Sequence, residues 1–168
     1  KEKMIYKDVK PNITHLKLAD LEKQGKLKAV VTQNIDGLHQ EAGSKNVLEL
    51  HGSVLRNFCM NCNKFYDLNK IIKSKNIPYC QCGGIIKPDV VLYEESLDDA
   101  TITKAIQFIS KADILIIGGT SLSVYPAAGL IRYYKGRKMV LINKSVTAYD
   151  NDADLFIQAG LGEVFNEL

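Results

Sequence analysis

Short apolar runs that lack strict alternation recur along the chain: Leu27–Thr32 (LKAVVT), Val47–Leu50 (VLEL), Pro88–Leu92 (PDVVL), Asp113–Ile117 (DILII), Lys138–Ile142 (KMVLI) and Leu155–Ile157 (LFI). Runs of this kind suit strands buried on both faces, as in a parallel sheet. Helical patterns lie between them. Asn12–Gln24 offers Ile13, Leu16, Ala19 and Leu21 as a stripe and Gly25 as a stop. Ala100–Ser110 carries Ile102, Ala105, Ile106 and Ile109 on one face, with Asp98 and Asp99 placed to cap its start, and a further helix after Ser121 is interrupted or opened by Pro126. The alternation predicts an α/β fold built on a parallel, Rossmann-like sheet. With 168 residues the chain is near one-domain size and can bury a core without disulfide staples.

Composition removes several classes of function. The longest apolar stretches, such as Ile114–Ile117, fall far short of the ~20 residues of a membrane helix, and the N-terminus shows no charged-then-apolar leader. No membrane span or secretion is expected, and the chain reads as cytoplasmic. Twenty-two basic against nineteen acidic residues leave a net charge of +3, too little for an electrostatic footprint on nucleic acid, so no direct nucleic-acid binding is expected. Lys1–Val30 holds eight lysines against four acidic residues, but they are interspersed and lack an aromatic platform, which marks a solvated surface.

The pattern changes between Asn57 and Lys87, where apolar periodicity thins and all four cysteines appear with a Gly83-Gly84 turn. This divides the chain into a discontinuous domain, 1–56 with 88–168, and a small inserted domain, 57–87. Cys59-x-x-Cys62 and Cys80-x-Cys82 are seventeen residues apart. Two close thiolate pairs can surround a tetrahedral Zn²⁺, with the metal replacing the core that so short a segment lacks. Disulfides are the alternative; they suit a small secreted protein better than an α/β chain of this size. Four sulfurs leave no open coordination position, so the zinc is expected to be structural and the chemistry to lie elsewhere.

In open α/β sheets ligands bind beyond the carboxyl ends of strands, which directs attention to three polar clusters. Thr32-Gln33-Asn34-Ile35-Asp36-Gly37 follows LKAVV, Gly118-Gly119-Thr120-Ser121 follows DILII, and Asn143-Lys144 follows MVLI. The two glycines could let backbone amides that open the next helix cradle a phosphate, with the Thr120 and Ser121 hydroxyls as further donors, although GGTS matches no phosphate-loop fingerprint. Asn143 could hold ribose hydroxyls or simply form a turn. His51 is the acid–base candidate: it follows a short strand, precedes Gly52, which would leave its ring room beside a ligand, and imidazole exchanges protons near neutrality. The alternative is a histidine satisfied by backbone hydrogen bonds. His15 and His39 read as structural.

Taken together, TQNIDGLHQEAG (Thr32–Gly43), LHGS (Leu50–Ser53), the cysteine quartet, KPDVVLYEE (Lys87–Glu95), GTSLSVYPAAGL (Gly119–Leu130) and the INK after MVL resemble the sirtuin family of NAD-dependent protein deacylases. The resemblance runs from about Asn12 onward. It implies that an acyl-lysine carbonyl oxygen displaces nicotinamide from the ribose of NAD to give an alkylimidate. A histidine matching His51 then deprotonates a ribose hydroxyl, which attacks the imidate carbon, and hydrolysis releases free lysine and O-acyl-ADP-ribose. It further implies that Asn34 and Asp36 take catalytic positions shaping the nicotinamide pocket with Ile35, and that Gln33 contacts the adjacent ribose. Gly119, Thr120, Ser121, Asn143 and Lys144 would hold phosphates and the adenosine ribose. An acyl-lysine peptide would lie as an added strand between Val90-Val91-Leu92-Tyr93 and Ser123-Val124-Tyr125, with NAD as co-substrate and one structural Zn²⁺.

Two departures from the family pattern stand out. Glu94 replaces the usual glycine before the acid in the VVLYEE segment, adding a carboxylate near the expected peptide groove. The family's glycine-rich N-terminal loop and first strand have no counterpart before Lys1; either the sequence is part of a longer protein, the preferred reading, or the product binds NAD poorly, and in both cases the sheet is expected to be incomplete there and the 168-residue polypeptide alone to turn over little substrate. Two other functions remain open at this level: a non-catalytic module that binds acyl-lysine or ADP-ribose ligands, and ADP-ribosyl transfer through the same sugar electrophile.

Overall fold

Asn12 opens the first helix, α1 (Ile13–Lys23), through a reciprocal cap: its side-chain oxygen accepts the His15 amide at 3.3 Å while His15 Nδ1 accepts the Asn12 amide at 3.2 Å. These contacts belong to a computed structural model that describes residues 5 and 8–167. The first residues of the Lys1–Val30 stretch and the outermost positions of the larger domain expected from the sequence, 1–4, 6, 7 and 168, lie outside the described residues. On α1 the fully buried position is Thr14; of the expected stripe Ile13, Ala19 and Leu21 are half-buried and Leu16 is exposed.

The strand β1 (Val30–Thr32) pairs in parallel with β2 (Val47–Glu49), and the short helix α2 (Leu38–Glu41) lies in the crossover between them. A second parallel sheet carries β6 (Ile114–Gly118), β7 (Lys138–Ile142) and β8 (Leu155–Ile157) in that order. Helix α4 (Asp99–Lys111) precedes β6, with the Asp98 carboxylate accepting the Thr101 amide at its start. After β6 the chain forms a 3₁₀ helix, Ala127–Tyr133. Leu48 and Leu50 pack with Ala105 and Ile109 of α4 and with Ala127 and Leu130, so one core joins β2, α4 and the 3₁₀ helix. Helix α5 (Leu161–Asn166) packs on α1.

The runs expected to be buried on both faces are not all so. Every residue of β1 is partly exposed, and Ile114 and Ile116 of β6 are 58% and 45% exposed. Each of β1 and β6 pairs with one neighbour among the described residues, which leaves an open edge and face. No helix among the described residues is long and apolar enough to cross a membrane.

The third sheet is antiparallel and was not foreseen. Its order is β4–β3–β5, with β3 spanning Gly52–Cys59, β4 Phe65–Asp67 and β5 Ile86–Val90; helix α3 (Leu68–Lys73) follows β4. The run at Pro88–Leu92 therefore begins two residues earlier, ends at Val90, and pairs antiparallel to β3 rather than within the parallel sheet. The β3–β5 register shifts between Ser53 and Asn57. At that shift Arg56 bridges Glu49 Oε2 at 2.7 Å and Asp89 Oδ2 at 2.8 Å, joining the end of β2 to β5.

Gly52 makes the first β3–β5 pairing possible. Its φ is +75°, and a Cβ there would run into the Asp89 carbonyl oxygen of the facing strand. Gly52→Ala combines a left-handed backbone with a backbone clash, and is expected to cost about 2–4 kcal/mol in urea unfolding. A variant as stable as the parent would show that β3 and β5 do not approach this closely.

Candidate functional site

His51 stands two residues beyond β2 and one before β3, at the carboxyl end of the β1–β2 pair. Its Nδ1 lies 3.0 Å from the Gln33 carbonyl oxygen. A carbonyl only accepts, so Nδ1 carries the proton and Nε2 is left as the acceptor of the half-buried ring. The His51 carbonyl in turn accepts the Val91 amide at 3.1 Å, tying the end of β5 to the same turn. The glycine after it is accounted for by the approach of Asp89, not by room for the ring.

Gln33 links two strand ends. Its backbone oxygen holds His51, and its side-chain Nε2 donates to Thr120 Oγ1 at 3.5 Å, which brings the loop after β6 to the end of β1. The rest of that cluster folds back on itself: the Asn34 amide donates to Thr32 Oγ1 at 3.1 Å, Asp36 Oδ1 accepts the Leu38 amide at 2.9 Å, and the Ile35 carbonyl accepts the Val54 amide at 3.0 Å. Asn34 and Asp36 are exposed beside His51's turn.

Packing against α5 gives Gly118-Gly119 a reason to be glycine that the sequence did not show. A Cβ on Gly118 would strike Leu161 of α5, and one on Gly119, where φ is +62°, would sit 2.9 Å from Leu161 Cδ1. The Gly119 amide is committed to the Ile142 carbonyl at 3.1 Å, and the next helical element opens only at Ala127. The Thr120 and Ser121 hydroxyls stand at this turn, the latter 2.6 Å from Ser123 Oγ. The Gly119–Ile142 bond also sets the third cluster beside the second. There Asn143 Nδ2 donates to the Ser145 carbonyl at 2.9 Å, forming a turn, and Lys144 is exposed.

Val90 closes β5, whereas Leu92, Tyr93, Ser123, Val124 and Tyr125 are all exposed. The Tyr125 hydroxyl meets that of Tyr149 at 3.2 Å, a partner the sequence did not suggest. The His15 and His39 rings meet at a 54° tilt with centroids 4.6 Å apart, packing α1 against α2, and burial holds both imidazoles below their ordinary pKa.

The four cysteines converge. Cys59 and Cys82 sulfurs are 3.4 Å apart, Cys62 and Cys80 3.6 Å, Cys62 and Cys82 3.4 Å, and all four lie within 4.8 Å of one another with none in a disulfide. A tetrahedron with Zn–S bonds of about 2.3 Å has edges of about 3.8 Å, close to this arrangement. The donor chemistry also fits. The Cys82 amide and then the Tyr66 hydroxyl bring the Cys80 thiol down to about 6. Cys82, although drawn down by the Gly84 amide, is pushed up to about 12 by the other three sulfurs. Four thiolates cannot ionise side by side without a cation among them, and Zn²⁺ supplies that charge. Gly84 is part of this packing, since a Cβ there would lie 2.6 Å from Cys59 Sγ. Tyr66, whose hydroxyl donates to Cys80 Sγ at 3.1 Å, was missed; an O–H to sulfur contact between residues fourteen apart leaves no sequence signal.

The family model described as Sir2 family matches residues 1–126. The chain belongs to the Sir2 family. An NAD-dependent protein deacetylase of Clostridium acetobutylicum is 67% identical over 166 residues, covering 98% of this chain and 68% of that protein. One from Clostridium perfringens is 64% identical over 170 residues, covering 100% and 70%. Among solved structures, a Sir2–p53 peptide–NAD⁺ complex superposes with a TM-score of 0.88 at 40% identity, over 95% of this chain and 69% of that one. A Sir2 bound to acetylated peptide superposes with a TM-score of 0.87 at 39% identity, over 95% and 70%. The parallel sheets of this chain thus belong to a Sir2 fold, and the same chain carries the four-cysteine cluster.

Proposed function

We propose that this Sir2-family chain is an NAD-dependent protein-lysine deacylase that yields nicotinamide, O-acyl-ADP-ribose and free lysine. The observation that carries the reading is the pair of bonds made by Gln33: its carbonyl fixes the His51 tautomer while its side chain reaches Thr120. Polar groups from two strand ends thereby meet beside an imidazole whose Nε2 can take a proton.

In this reading NAD supplies an electrophilic ribose carbon once nicotinamide leaves. His51 Nε2 accepts the proton of a ribose hydroxyl, and Asn34 and Asp36, with Ile35 beside them, line the nicotinamide side. Gln33 lies toward the adjacent ribose. Thr120, Ser121, Asn143 and Lys144 face the phosphates and the second ribose, and Gly119 shapes their turn. Such a centre gains more from orientation and exclusion of water than from a strong nucleophile. An acyl-lysine peptide lies between Val90–Tyr93 and Ser123–Tyr125 as an added strand; both segments are largely exposed, which suits backbone pairing. With the chain divided into 1–56 with 88–168 and 57–87, the peptide of this reading lies beside the junction, and the Arg56 bridges to Glu49 and Asp89 support that arrangement. Four unbridged thiols suit a reducing compartment, and we assign the chain to the cytoplasm on that ground.

The test is release of radiolabelled nicotinamide from NAD in the presence of an acetyl-lysine peptide, counted over single turnovers so that slow chemistry is visible. Nicotinamide and deacetylated peptide are expected in equal amounts. Peptide binding without release would overturn the enzyme reading in favour of a binding module, and a gain in peptide mass would favour ADP-ribosyl transfer.

A further inference from the structure

Of the four clustered cysteines, Cys59 and Cys80 are buried, while Cys62 and Cys82 are exposed. Cys59 Sγ accepts the Asn61 amide at 3.4 Å. Cys80 Sγ accepts the Tyr66 hydroxyl at 3.1 Å, the one side-chain O–H or N–H that reaches a sulfur among the described residues. That hydroxyl is held in place. Tyr66 sits on β4 opposite Asn57 of β3, and its ring packs on the small core of Cys59, Ile71, Cys80 and Ile86. Lys64 Nζ lies 5.7 Å from the ring centroid and is pinned there by Gln81 Oε1 at 3.3 Å, the residue between the last two cysteines. A cation over a phenol face draws electron density from the ring and strengthens O–H donation.

We propose that Tyr66 is a positioning residue of the four-cysteine metal centre: its hydroxyl, polarised by Lys64, orients the buried Cys80 sulfur and takes up part of its negative charge when a metal is bound. Groups that hydrogen-bond to metal ligands fix their direction and tune their donor strength. The inference rests on zinc at the four cysteines and is independent of the deacylase reading.

Tyr66→Phe keeps the ring and its packing and removes only the donor. In competition with a zinc chelator it is expected to weaken zinc binding about 10-fold. With cobalt in place of zinc, the sulfur-to-metal charge-transfer bands should move to lower energy, because a sulfur that loses a hydrogen bond gives up charge more readily. Lys64→Gln, at an exposed position, leaves the hydroxyl and should shift the bands the same way with about a twofold loss of affinity. A Tyr66→Phe protein with parental affinity and unmoved bands would overturn the proposal, as would a Lys64→Gln protein whose bands move to higher energy. Failure of the parent protein to take up either metal would instead refute the four-thiolate site itself.

Discussion

His51→Ala is expected to lower deacylation by about 10²–10⁴-fold while leaving the fold intact, the range associated with loss of a positioned general base. The reason lies in the asymmetry of the ring. Nδ1 is spent on the Gln33 carbonyl at 3.0 Å, so the imidazole is held in one tautomer with Nε2 available. The two roles separate experimentally. His51→Asn places an amide N–H where Nδ1–H stands and can keep the bond to Gln33, yet it offers no base at the Nε2 position. Both variants should therefore lose deacylation alike. Cleavage of nicotinamide from NAD, which in the proposed order precedes proton removal by His51, should fall less than formation of deacetylated peptide. Retained deacylation in His51→Asn would assign the histidine a purely orienting function, and equal loss of the two steps would place it earlier in the reaction.

How much of this was legible in the sequence depends on how local the responsible forces are. Strands β7 and β8 fall at the residues read from the apolar runs, and α4 within one residue at each end, because a cap such as Asp98 and a stripe such as Ala105 and Ile109 act over one or two turns. The antiparallel sheet escaped. Gly52–Cys59 carries buried Ser53, Val54 and Asn57 beside exposed Leu55, so its burial follows neither a strict alternation nor an apolar run. Pro88 stands within β5 near the register shift, where pairing is already irregular. The glycines after β6 were legible as glycines but not for their cause, since Leu161, more than forty residues later, occupies the space their side chains would need. Of the candidate site, the cysteine convergence followed from spacing because the ligands come in close pairs. The links from Gln33 to His51 and to Thr120 span 18 and 87 residues and depend on the sheets being formed first.

Cys59→Ser is expected to abolish tight zinc binding and unfold the 57–87 insert while the β6–β7–β8 sheet persists. The insert's own core consists of Cys59, Ile71, Cys80 and Ile86, two of them metal ligands, and it is separate from the core that joins β2 and α4. A segment with so few buried apolar side chains cannot offset its chain entropy without the metal, whose binding to four cysteines contributes on the order of 10 kcal/mol in small zinc modules. Cys59 is 2% exposed and hemmed in by Gly84, so a serine there can neither relax outward nor be hydrated as an alcohol. The variant should retain less than a tenth of the parent's zinc in a colorimetric assay, and trypsin should cut first after Lys70, Lys73 or Lys75. Chelating the metal from the parent should reproduce that cleavage pattern. The loss should also propagate to the candidate catalytic turn, because β3 runs from Cys59 back to Gly52 and the His51 carbonyl is bonded to the Val91 amide just beyond β5. Hydrogen exchange at Val91 is therefore expected to speed up in Cys59→Ser, whereas amides of β7 keep their protection. A metal-free Cys59→Ser protein with a protease-resistant insert would show that packing alone holds the four-cysteine module together.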